Sequence, residues 1–198
     1  IGTINGAAAG EGTIVVSGTP TFASVIGGTN RPAQLTINGA TTFQAAVSTT
    51  LLTTTAAISN GATLDVSGAS SVGANISTTG NQTYTGAVTL TASPTLTAPS
   101  GTILFSSTVD GGYTLTITNS ASTGDVTFAS AVGGTTSLTG LTITTDILNA
   151  AAIRSTGTLS VTNTSTSSIT GIISENVSAL AVTKAGTGTL TLSGANTY

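Results

Sequence analysis

Bulky apolar residues recur along this chain at Phe22, Phe43, Leu64, Tyr84, Phe105, Phe128, Leu148, Ile169 and Leu190, in steps of 20 to 23 residues that average 21. A fixed period of this size marks repeats that cannot bury an apolar face alone and must stack on their neighbours. Twenty-one extended residues reach about 70 Å, too far for one strand. The period fits one turn of a coil built from two or three short strands and the corners between them.

Two local patterns say that the coil is β. One is an apolar–x–apolar triplet closed by Gly or Asn, as in Ile14-Val15-Val16, Leu35-Thr36-Ile37, Leu64-Asp65-Val66, Leu115-Thr116-Ile117, Leu141-Thr142-Ile143, Leu159-Ser160-Val161, Leu180-Ala181-Val182 and Leu190-Thr191-Leu192. Period-two alternation with β-branched residues reads as short strands ending in turns. The other is Thr followed by an aromatic, with an apolar pair three to four residues on, at Thr21-Phe22, Thr42-Phe43, Thr83-Tyr84 and Thr127-Phe128. Gly27-Gly28, Gly111-Gly112 and Gly133-Gly134 then supply turns that need positive φ. No window carries a sustained helical stripe, and Leu148 to Ile153, the nearest approach, is too short to be a helix alone. Pro20, Pro32, Pro94 and Pro99 fall between strand candidates, where a missing N–H does least harm. The long step from Phe105 to Phe128 predicts an extra loop near Ser120 to Gly124, and Asn163 to Ser168 reads as a longer corner.

The expected fold is all-β: a parallel β-helix solenoid over residues 1–198, with about 21 residues per coil and about nine coils. Right-handedness is expected, since β crossovers prefer it. Coils about 4.8 Å apart make a rod on the order of 43 Å long. A β-sandwich fits the strand spacing too, but the phase held over eight steps disfavours it.

Composition narrows function mainly by exclusion. Only 5% of residues are charged, against about 25% in ordinary soluble domains. A net charge of −3 offers no electrostatic footprint for nucleic acid and no basic patch for an anionic membrane surface. The chain has no His and no Cys, which removes an ordinary catalytic triad, a Cys-ligated metal and a disulfide scaffold. Apolar runs are too short for a spanning helix. Gly186-Thr187-Gly188 precedes no helix, so it is no dinucleotide fingerprint. Asn75-Ile76-Ser77, Asn81-Gln82-Thr83, Asn163-Thr164-Ser165 and Asn176-Val177-Ser178 match a glycosylation acceptor, weak signals in so Ser/Thr-rich a chain. The aromatics at constant phase read as core, not as a stacking platform.

If residues 21 apart lie above one another, the positions before the anchors (Thr21, Thr42, Thr63, Thr83, Leu104, Thr127, Ile147, Ser168 and Thr189) form an outward Thr ladder. The same phase stacks Asn60 on Asn81 and pairs Arg154 with Glu175. It also brings Asp125 near Asp146, a candidate acid pair or cation site with Arg154 in the vicinity. Two solvated corner residues are the expected reading of that pair, because calcium wants six to eight oxygens and a glycosidase wants carboxylates in distinct environments. No catalytic, cofactor-binding or metal-binding residue is assigned, and no cofactor is implied.

The segment Lys184-Ala185-Gly186-Thr187-Gly188-Thr189-Leu190-Thr191-Leu192-Ser193-Gly194-Ala195-Asn196-Thr197-Tyr198 resembles the autotransporter-associated β-strand repeat of bacterial passenger domains. Thr79 to Leu90 and Val126 to Thr135 resemble repeats of filamentous-haemagglutinin-type exoproteins. The resemblance implies an extracellular or cell-surface stalk or filament of an adhesin-like protein, here as a fragment of a longer chain, with no enzymatic activity carried over. Its implied partners are further copies of itself, laterally or end to end, or host and matrix glycans, with no nucleic acid and no membrane insertion in this segment. Two alternatives stand beside it. Ice binding wants two parallel Thr ranks, and the 21-residue phase gives an irregular second row (Thr19, Ala40, Gly61, Asn81, Thr102). Polysaccharide cleavage would fall to Asp125 and Asp146.

Overall fold

A computed structural model describes residues 2–119, 122–175 and 179–198. Every paired strand in it is parallel, and no helix occurs among the described residues. The chain winds through three faces in a constant order. The first face is a six-stranded sheet beginning with Thr13–Val16 and Gln34–Ile37; it continues through isolated bridges at Val132 to Ile153–Ser155 and Ile173–Glu175. The second is a nine-stranded sheet running from Thr21–Phe22 to Val182–Ala185, and the third an eight-stranded sheet running from Val47–Thr49 to Leu190–Leu192. Neighbouring strands in each sheet belong to successive turns, so the backbone hydrogen bonds run from turn to turn. The expected β-solenoid of about nine turns is therefore present.

Its turns are less uniform than the anchor spacing implies. The paired residues Phe43 and Asn60 are 17 apart, whereas Ile117 and Ile143 are 26 apart. Phe43 stacks on Phe22 in the second face, but Leu64 lies four residues past Asn60 and enters the third face opposite Val47 and Gln82. The anchors thus form two columns on two faces. On the third face the inner column reads Val66, Tyr84, Phe105, Phe128, Ala150, Ile169 and Leu192. Leu148 and Leu190 sit two residues from this column, opposite Val126 and Ser167.

The interior is apolar and layered. Tyr84, Phe105 and Phe128 stack with centroid separations of 5.1 and 4.8 Å and rings within 9° of parallel, and Phe22 and Phe43 stack at 5.2 Å. The 4.8 Å strand spacing imposes this near face-to-face arrangement, since side chains in one column must repeat at the sheet period. Burial pushes the Tyr84 phenol above its usual range, and its hydroxyl donates to Gln82 Oε1 at 3.0 Å.

Corners leave backbone groups outside the ladder, and buried polar side chains satisfy them. Where the second face turns into the third, Asn60 donates to Thr63 O (2.9 Å) and accepts from Ala62 N–H (2.9 Å). Asn119 donates to Gly101 O (2.9 Å), Thr145 to Gly124 O, and Asn163 to Thr189 O (2.8 Å). The expected stack of Asn60 on Asn81 is therefore absent: Asn60 pairs with Phe43 and Thr78, and Asn81 is an exposed corner residue that accepts from Thr102 N–H.

The Gly-Gly signals mark real corners. Gly27 and Gly133 both have φ +70, and a Cβ there would lie 2.1 Å from Ser48 O and Arg154 O respectively. All four prolines lie outside strands. Leu148 to Ile153 belongs to two strands, and of Leu180-Ala181-Val182 only Val182 is in one. Extra residues of the Phe105–Phe128 turn fall between Asn119 and Asp125 as the sequence suggests, although Ser120 and Ala121 lie outside the described residues, as does the Asn176-Val177-Ser178 motif. The expected long corner at Asn163 to Ser168 is short, because Asn163 ends one strand and Ser167 begins the next.

Candidate functional site

The carboxylates singled out by spacing do not converge. Asp125 is in register with Ile147, one residue off Asp146, and the Asp146 N–H donates to Gly124 O. Asp146 serves its own corner: Thr164 Oγ1 donates to its Oδ1 at 2.7 Å, and its carbonyl accepts from Thr164 and Ser165 N–H. Hydrogen bonds from the Ser165 and Thr164 side chains hold its carboxyl below the usual carboxylate range. No group of three or more Asp and Glu side chains able to hold a metal ion occurs among the described residues.

Other charges also fasten corners. Arg31 Nη2 meets Asp65 Oδ2 at 2.5 Å, tying the loop after Gly27-Gly28 to the third face. Both side chains are about one-third exposed, so the pair contributes at most about 1 kcal/mol. Asp110 Oδ1 accepts from Thr135 and Thr136 N–H at 2.8 and 3.1 Å, shaping the loop after Gly133. Arg154 is in register with Ser174, and Glu175 with Ser155; the expected Arg154–Glu175 pairing is displaced by one residue, which sends the two side chains to opposite sides of the sheet.

The outward hydroxyls form a pattern different from the expected ladder. On the third face the outward column reads Ser48, Asp65, Thr83, Leu104, Thr127, Asn149, Ser168 and Thr191, a mixed row. On the second face, two ranks run side by side. Thr97, Thr118, Thr144 and Thr162 form one; Thr95, Thr116, Thr142, Ser160 and Thr183 form the other. Their sequence signal was the triplets Thr95-Leu96-Thr97, Thr116-Ile117-Thr118, Thr142-Ile143-Thr144 and Ser160-Val161-Thr162. Unequal spacings of 21, 26 and 18 residues hide them from a constant period.

Toward the start of the second face the inner rank loses its hydroxyls at Ala40 and Ala57, leaving a shallow open trough bordered by Thr19, Thr42, Ser59 and Asn75. No helix is long and apolar enough to cross a membrane among the described residues. No family model, no curated protein and no solved structure matches this chain.

Proposed function

We propose that this chain is a rod segment, a stalk or filament element of a secreted or surface-displayed bacterial adhesin-like protein. Its work is reach, stiffness and contact along its sides or ends. The observation that carries this reading is the unbroken inner column of the third face. From Val66 to Leu192 each turn rests on the one before it, so length grows by adding turns and no turn needs a distant partner. Supporting it are the repeat-like segment Lys184 to Tyr198 and an apolar edge. Val182, Leu190 and Leu192 are half-buried, while Leu159 and Ile169 one turn inward are buried. An edge of this kind favours end-to-end contact with further turns or copies. The neutral, hydroxyl-rich faces suit lateral packing and hydrogen bonding to glycans.

Antibodies against this segment, applied to intact producing cells, test the proposal. Surface labelling that external protease removes is expected. Labelling that appears only after lysis, with no antigen in the medium, would sink it.

A further inference from the structure

The two hydroxyl ranks of the second face have three properties together. Their register is continuous across five strands, from Thr95–Ala98 to Val182–Ala185, so the hydroxyls repeat at the strand spacing of about 4.8 Å in one direction and at two residue rises, about 6.6 Å, in the other. No outward charge interrupts them from Thr95 to Thr162. Among the described residues, none of their side-chain hydroxyls has a hydrogen-bond partner in the protein. Elsewhere outward polar groups are engaged: Gln34 bridges Thr36 and Thr53, Thr55 donates to Asn38, and Ser168 donates to Asn149.

From this geometry we infer that the second face binds ice. Thr is stiff at χ1, so a strand-borne rank holds its hydroxyls and methyls in fixed places. A neutral, two-dimensional grid of unengaged hydroxyls separated by methyl groups orders the water above it. Both repeats of that grid lie close to the oxygen spacings of the ice lattice. A soluble glycan chain asks for less: it needs a few convergent donors and a stacking ring, and this face offers no aromatic. A charged partner finds no charge to meet. The inference rests on the register alone and stands apart from the stalk reading.

Thermal hysteresis, crystal shaping and inhibition of ice recrystallisation test it directly on the whole chain. The unmodified protein is expected to facet ice crystals and open a freezing gap. Thr118→Lys and Thr144→Lys, each placing a long charged side chain in one rank, are expected to lose most of that gap, and Thr127→Lys on the third face to retain it. Circular dichroism checks that each variant keeps its β signal. Should a Lys variant fail to fold, the near-isosteric Thr144→Val carries the test and is expected to weaken the gap. No gap in the unmodified protein, equal loss in Thr127→Lys, or binding to microcrystalline cellulose without any effect on ice would each overturn the inference.

Discussion

Phe105 is the best place to measure what the stacked interior contributes. Its ring lies between Tyr84 and Phe128, at 5.1 and 4.8 Å, and is 1% exposed. Truncating a buried Phe to Ala costs about 3–5 kcal/mol, and each aromatic pair adds about 0.5–1.5 kcal/mol beyond the area it buries. Losing two pairs at once places Phe105→Ala near the top of that range, about 5 kcal/mol. Phe22 is only half-buried and has a single ring neighbour, Phe43, at 5.2 Å. Phe22→Ala is expected to cost about 2 kcal/mol by the same reasoning. With a urea slope of about 2 kcal/mol/M, the midpoints should fall by about 2.5 M and about 1 M respectively. Phe105→Leu should recover most of the larger loss. Equal shifts for the two Ala variants, or a Phe105→Ala shift below about 1 M, would refute a core whose strength comes from the stacked column.

Three further outcomes follow from the corners and the buried polar pair. Tyr84→Phe strips the donor from Gln82 Oε1 inside the core and should lower unfolding free energy by about 1–3 kcal/mol, measured in urea. Gly133→Ala forces a side chain onto a φ of +70 and into Arg154 O, so calorimetry should show a loss of about 2 kcal/mol or more. At Gly112 a Cβ would meet nothing within 4 Å, and Gly112→Ala should stay within about 0.5 kcal/mol of the parent. Asp146 has a lowered pKa when folded, so its contribution is full above the unfolded carboxylate value and disappears as pH falls through the folded one. The thermal midpoints of the parent and Asp146→Asn should therefore converge in acid; a gap that persists at low pH contradicts the role given to Thr164 and Ser165.

Alternation and turn chemistry made the strands legible, and the repeat of large apolar residues made the stacking legible. Leu35-Thr36-Ile37 and Leu159-Ser160-Val161 are strands because every second residue meets the interior. The phase was harder to read. Phe43 to Leu64 and Phe22 to Phe43 are both 21 residues, yet the second is a vertical step on one face and the first is a step plus a corner. A three-sided coil offers three inward sites per turn that demand the same apolar chemistry, so periodicity alone does not say which face an anchor occupies. That ambiguity scattered the predicted Thr ladder and the Arg154–Glu175 pair. It also concealed the double rank of the second face, whose members are separated by turns of different length.

The longest turn carries nine more residues than the shortest, and the strands above and below it remain in register. Surplus chain is expelled sideways at the bends, as with the loop that Asp110 fastens around Thr135 and Thr136. Such a body is a natural scaffold for grafting: foreign peptides spliced at a bend would stand out from the shaft like rungs, at heights set by the turn chosen, while the winding beneath them continued unchanged.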